Sequence, residues 1–497
     1  MVGWFTDGFR TAWGLLYWNV RKTLFRWRKP PFSPCQNPSD SGRGGETRCD
    51  ACFGWRDPKR FRRVCPLLQP SLDGTWLCSV DTADVRPFWL RAFAWYGGVS
   101  LATYLTLVLV GFGVLRGIGY PVRLESIAWP PAWSEIQQAR SKYFQQRAEE
   151  AYARQEINEA LLSLRLAYDY DPGNYDAGLM LARLWQTSRP DLANRMYSRL
   201  LQEHPTHRST TAQHWLRALL PRADYAAIEE LAAAALHFDG EHAGAWLHAL
   251  LFATERSGNR SLLDRLRTEA QTLPSGVAHV LETEAQLAGT DHKAGLRRLL
   301  QPRAPDQPDY VAYHQIRRLT SLGLAQPALD FALLETRRLP DYDRISLELE
   351  ALATLNNRRL RFVAFENLAA HSDRLKVIEL IAAHLIRFPD PDLYERWLRR
   401  VDLAKLPNEA ERLTARLTLL CVAGAQQDEP RLREWAEALR ETTGASYAAL
   451  DAARAYFLAP VGKRLSEVLP FLQPLSLEVN YALLSRFGPP LGESPRS

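Results

Sequence analysis

At 497 residues, with 46% hydrophobic and 24% charged residues, the chain is long enough for several domains and too apolar for a disordered one. Net charge is +6, yet residues 1–91 hold 15 Lys/Arg against 8 Asp/Glu, while the remaining 406 hold 47 against 48. A basic surface confined to one end and followed by an apolar run points to an anionic membrane, and no nucleic-acid partner is expected. Arginine outnumbers lysine 54 to 8, the bias of a GC-rich genome, which suggests a bacterial source.

The first 29 residues predict a basic amphipathic helix. Phe5, Phe9, Trp13, Leu16, Val20, Leu24 and Trp27 recur every three or four positions, and Arg10, Arg21, Lys22, Arg26, Arg28 and Lys29 fall on the opposite side. Such a helix suits the plane of a membrane interface or a packed protein surface. Asp7 and Arg10 interrupt what would be the apolar core of a signal peptide, so the segment is expected to be retained.

Residues 30–85 concentrate five of the six cysteines: Cys35, Cys49, Cys52, Cys65 and Cys78, with Cys49 and Cys52 in the stretch "ETRCDACFGW". The segment is rich in Gly and Pro and has no long apolar period, so it cannot build an adequate core and needs a staple. In a reducing compartment, clustered thiols favour a metal over disulfides. Tetrahedral zinc takes four thiolates, two of which one Cys-x-x-Cys pair supplies from a single turn. A structural zinc held by four of the five cysteines is therefore the leading expectation. Disulfides in a chain of reversed topology, and redox or iron–sulfur chemistry, stay open beside it.

The 24 residues "AFAWYGGVSLATYLTLVLVGFGVL", 92–115, carry no charge and are bracketed by Arg91 and Arg116. At a rise of about 1.5 Å per residue they can cross a hydrocarbon core of ~30 Å, so 90–117 is read as one transmembrane helix. The basic flank places residues 1–91 in the cytoplasm and the long C-terminal part outside it, in the periplasm if the cell is Gram-negative. Gly113 and Gly117, four apart, would let two such helices approach closely, a route to a homo-oligomer.

From residue 134 to 488 the apolar period is helical. Ala160, Leu164, Ala167 and Pro172 stand at spacings of 4, 3 and 5, with Phe144 and Ala148 before them and the turn "DYDPGN" after. Ala193, Tyr197 and Pro205 repeat the spacing, then Ala227, Leu231, Ala234 and Asp239. Trp246 with Pro274 and Ala328 with Pro340 mark later units. These residues resemble the tetratricopeptide repeat, fairly over 140–274 and weakly to about 485. The resemblance implies a stack of about ten helix pairs at ~34 residues each, a solenoid that binds protein partners or serves as a rigid arm. The predicted fold is thus mostly α: a repeat solenoid after one membrane helix, with a small cysteine module ahead of it. The tail 489–497 is expected to be disordered.

No phosphate-binding loop, nucleophile elbow or His-Glu-x-x-His pair occurs. His237, His242 and His248 are expected to straddle a turn between repeats, and Trp185, Trp215, Trp246 and Cys421 to pack in cores. No enzyme is read from these residues, and an enzyme hidden in the divergent C-terminal half stays open as a third reading. The expected role is a membrane-anchored scaffold or adaptor for envelope or secretion proteins. The alternative is redox- or metal-responsive signalling through the cysteines, with the repeats as sensor.

Overall fold

The computed structural model describes residues 68–70, 76–78, 85–304, 306–334, 339–443, 448–459 and 464–488. The amphipathic helix of residues 1–29, Cys35, Cys49, Cys52, Cys65 and the tail 489–497 lie outside them. The chain divides into two compact units, residues 1–147 and 148–497.

In the first unit two short strands, β1 (Leu68–Pro70) and β2 (Trp76–Cys78), pair antiparallel with Leu68 opposite Cys78 and Pro70 opposite Trp76. They are followed by α1 (Val85–Ile118), 34 residues long. Its stretch Tyr96–Ile118 is long and apolar enough to cross a membrane, with a mean hydropathy of 2.0. Val99, Leu101, Leu105, Leu107, Leu109, Val110, Val114 and Ile118 are all exposed along it.

Gly119, at φ +101°, turns the chain where a Cβ would stand 3.1 Å from the Tyr143 ring. The chain then runs back along α1 as α2 (Leu124–Ala128). The Tyr104 hydroxyl donates to the Ala128 carbonyl, and Ile127 packs over Gly111. A 3₁₀ turn at Pro130–Ala132 leads into α3 (Ser134–Ala153), whose Glu135 accepts a 2.5 Å hydrogen bond from Ser126.

The second unit is helical almost throughout its described residues. The helices are α4 (Ile157–Tyr170), α5 (Tyr175–Ser188), α6 (Pro190–Glu203), α7 (Arg208–Leu219), α8 (Tyr225–Phe238), α9 (Ala243–Ser257) and α10 (Ser261–Thr268). Next come α11 (Ser275–Ala288), α12 (His292–Leu299), α13 (Asp309–Ser321), α14 (Ala325–Leu334), α15 (Asp341–Thr354) and α16 (Arg358–Ala369). The last are α17 (Leu375–Arg387), α18 (Pro391–Leu398), α19 (Glu409–Ala425), α20 (Glu429–Thr443), α21 (Ala448–Leu458), α22 (Leu465–Val468) and α23 (Leu477–Phe487).

Taken two at a time, the pairs from α5 on begin at 175, 208, 243, 275, 309, 341, 375 and 409, a step of 32 to 35 residues. The step therefore continues well past residue 350, where the small-residue pattern fades. Within pairs, α5 packs on α6, α7 on α8, α11 on α12, α13 on α14, α15 on α16 and α19 on α20. From α9 onward each first helix also packs on the first helix of the next pair, through α11, α13, α15, α17 and α19 to α21. One continuous core of Leu, Ile, Val and Ala with Trp246, Trp397 and Phe365 runs from Ala212 to Leu484.

Close approach explains the small residues. Ala160, Ala167 and Ala193 are fully buried, as are Leu164 and Tyr197. Tyr310, at the start of α13, wedges against two earlier first helices at once. A Cβ on Gly276 would meet its hydroxyl at 2.5 Å, and one on Gly244 its Cβ at 2.5 Å.

Candidate functional site: the face of first helices and the helix that covers it

Helix α23 follows no repeat partner of its own; it lies on the face that the first helices build. It packs along α17 and reaches the 3₁₀ turn Leu220–Arg222 that ends α7. Its start is self-sufficient. The Ser476 Oγ accepts from the Val479 amide at 3.3 Å, and the Asn480 amide donates to the Ser476 carbonyl at 2.9 Å. Val479, Tyr481, Ala482, Leu483 and Leu484 are buried, an apolar gain of roughly 1.5–3 kcal/mol for each large side chain.

Polar contacts fix its register. The Lys376 ammonium of α17 pairs with Glu478. The Arg256 guanidinium of α9 donates to the Ser485 carbonyl at 2.9 Å, and Arg486 donates to the Ile386 carbonyl at 2.8 Å. Tyr481 stands edge-on to His248 and Phe252 of α9, with ring centroids at 4.6 and 4.8 Å. Phe487 meets Phe457 of α21 at 6.0 Å.

The face beneath α23 is charged. Arg317 of α13 donates to His248 Nε2 at 3.1 Å, and Arg387 of α17 pairs with Glu350 of α15. Burial first, then Arg317 and Arg387, hold His248 well below its usual range, so it is neutral and accepts. Burial likewise raises the Tyr313 and Tyr481 phenols. Glu379 of α17 is pushed up to about 7, by burial first and then by the Glu478 carboxylate; Lys376 and Arg217 oppose the shift. Burial would raise Glu478 too, but the Lys376 ammonium outweighs it and leaves that carboxyl below the usual value. This arrangement recognises a helix by ion pairs, carbonyl capture and aromatic edges.

A second feature lies between α11, α12 and α13: a cavity of about 210 Å³ lined by His279, Thr283, Arg298, Gln301, Arg303 and His314, among others. Gln315 closes its floor by donating to the Leu299 and Gln301 carbonyls at 2.5 and 2.7 Å. Glu284 holds His314 at 3.2 Å and Arg318 at 3.0 Å beside it.

Of the five cysteines read as zinc ligands, only Cys78 falls on a described element, as the end of β2; the other four lie outside the described residues. Among the described residues no group of three or more His, Cys, Asp or Glu is placed to hold a metal. Cys421 is fully buried in α19, and burial pushes its thiol up to about 12. The three histidines do straddle a turn. His242 ends the 3₁₀ turn Gly240–His242 and sits 2.9 Å from Asp239, whereas His248 faces α23. Trp246 is fully buried, and Trp185 and Trp215 are half-buried.

Sequence reasoning did not foresee the pairing of α23 with the first helices. Most of its partners stand 100 or more positions away, as Ile386 does from Arg486 and Arg256 from Ser485, and no local pattern encodes them. Comparison of the chain with protein-family models, with curated proteins and with solved structures gives no match.

Proposed function

We propose that the chain is a membrane-anchored helical-repeat scaffold. In this reading α1 crosses the membrane, and the pairs from α3 onward form a tetratricopeptide-like solenoid that holds protein partners outside the cytoplasm. The cysteines of residues 30–85 carry a structural zinc on the cytoplasmic side. The observation that carries the reading is the step of 32 to 35 residues between pairs, joined to packing of first helix on first helix. A stack built this way leaves one long lateral face for recognition. The chemistry of that face supports binding: it offers guanidinium, carboxylate and aromatic groups from five successive first helices, α9 to α17.

The test is affinity capture from solubilised membranes with the whole chain as bait, compared with a chain lacking residues 148–488. Partners retained by the whole chain and lost from the shortened one support the scaffold. Capture that is identical for both would assign the binding to the N-terminal segments instead.

A further inference from the structure

The first-helix face already has an occupant, and that occupant is part of the chain. We infer that α23 is a resident, displaceable ligand of this face, and that the partner it stands in for is an amphipathic helix of the same chemistry. Such a helix carries an acidic residue in its first turn, a tyrosine three residues on and an arginine near its end, as Glu478, Tyr481 and Arg486 do in α23. The inference rests on the scaffold reading and names the partner class for its recognition face.

Three observations carry it. First, α23 draws on many repeats without belonging to one: Arg256 of α9, Lys376 and Ile386 of α17 and Phe457 of α21 all meet it. A helix that completed a pair would pack on its neighbour in sequence. Second, α23 caps itself through Ser476 and Asn480, so leaving the face exposes none of the groups that start it. Third, the covered face holds Arg317, Arg387, Glu350 and His248 where a permanently closed interface would be more stable if apolar. Desolvating charges costs several kcal/mol per ion, and well-packed hydrophobic replacements commonly equal or exceed the pair in stability. A charged lining is useful on a face that also meets water or exchanges one helix for another.

The contacts also show how exchange begins. Lys376 and Glu478 are half-exposed, at 47% and 39%, so water and an incoming carboxylate can reach the pair while the apolar side of α23 is still seated. An incoming helix that takes the Lys376 ammonium first then competes for the Tyr481 slot between His248 and Phe252.

The experiment uses the whole chain in nanodiscs and a labelled peptide of residues 474–488 as probe. Glu478→Lys removes the ion pair and sets two ammonium groups side by side. The expected result is amide exchange in 477–487 at least about threefold faster, with α17 and α9 unchanged, because an exposed pair is worth only a fraction of a kcal/mol to about 1. The same variant should take up more of the wild-type peptide than the native chain does. In a Lys376→Glu chain, preference should switch to a peptide carrying the Glu478→Lys change.

Exchange that rises in α23 and α17 together would make α23 an inseparable core element and overturn the inference. So would unchanged exchange in α23, or freed α23 without added peptide uptake. Any of these leaves capture of partners by other faces intact, so failure here is distinguishable from failure of the scaffold reading.

Discussion

Replacing Asp239 by Ala tests whether the turn between the second and third pairs from α5 on is held by a single carboxylate. Asp239 takes the place of proline in the turn pattern and is only 5% exposed. It accepts from Ser209 Oγ at 2.7 Å, Trp246 Nε1 at 2.9 Å and His242 Nδ1 at 2.9 Å. Burial would raise its carboxyl, but these three hydrogen bonds outweigh it and hold the group ionised. His242 is exposed and can turn to water, so its bond contributes little. Ser209 and Trp246 bond a charged acceptor, worth about 1.5–3 kcal/mol each, and Trp246 would be left with a buried, unpartnered N–H. Because such terms are not additive, the expected loss is about 3 kcal/mol, or roughly a hundredfold in the local opening constant. Amide exchange across α7, α8 and α9 reads this directly; a global melt would blur it in a chain of repeats. Trp246→Phe should cost less, and the double variant should show coupling of at least about 1 kcal/mol. A change below threefold in exchange, or full additivity, would refute the hub.

Three further outcomes follow from other parts of the chain. Glu379 ordinarily titrates at 4.5 and is held at about 7 in the fold, so its contribution to stability is complete below 4.5 and declines as pH rises to about 7. Glu379→Gln should therefore stabilise the chain at pH 8 by up to about 3 kcal/mol and change little at pH 4, by denaturant titration at both pH values; an equal effect at both would refute the shift. The whole chain should carry about one zinc, lost on Cys49→Ser or Cys52→Ser as measured by elemental analysis, and a brown protein would favour iron–sulfur chemistry instead. A reporter active only outside the cytoplasm should work when fused after Gly488 and fail after Arg28, and the reverse result would turn the topology over.

Much of the helical architecture was legible because close helix packing demands small residues at fixed intervals. Ala160, Ala167 and Ala193 announce it, and Pro205 and Pro274 mark ends of pairs. Beyond residue 350 the period persists while its markers vanish, for two physical reasons. In α17 ten successive residues from Val377 to Ile386 are buried, since neighbouring helices and α23 enclose it, so even its polar positions Glu379 and His384 face protein and the repeat's small-residue positions no longer stand out. Six of the turns between consecutive helices from α3 on place a left-handed residue, and among these only Gly258 and Gly323 use glycine for it. Gln155, Ala223, Asn356 and Gln427 adopt φ near +60° instead, at roughly 1 kcal/mol or more each, and so hide the turn from a reader expecting glycine. The covered face was illegible for a different reason. Lys376 and Glu478 lie 102 positions apart and look like ordinary surface charges until α23 is laid on α17.

The turn after α1 bears on how a bilayer would lie against it. Tyr104 is 14 residues before Ile118, about 21 Å along the helix, yet its hydroxyl meets the Ala128 carbonyl. If Tyr96–Ile118 filled the hydrocarbon, α2 and the start of α3 would be carried deep into it. Glu135 would go with them, at ~2.5–3.5 kcal/mol or more for a charge near the centre, whereas Arg140 lies over the Tyr120 ring, level with the end of α1. Ending the span near Tyr104 instead would spare Glu135 but draw in the basic positions 86 and 91 and leave Leu105, Leu107, Leu109, Val110, Val114 and Ile118 in water, at roughly 1.5–3 kcal/mol for each large side chain. The apolar loss exceeds the cost of one submerged carboxylate, so a span of Tyr96–Ile118 is favoured by several kcal/mol despite Glu135. That span carries Trp129 and Trp133, 65% and 57% exposed, below the interface toward the depth of Tyr104. Fluorescence quenching by lipids brominated at shallow or deep acyl positions measures this, taken as the difference between the native chain and Trp129→Phe/Trp133→Phe. Deep bromines should quench the difference signal more strongly than shallow ones. Stronger quenching by the shallow set would mean that the span ends near Tyr104 and that the return segment lies at the interface, and would refute the embedded arrangement.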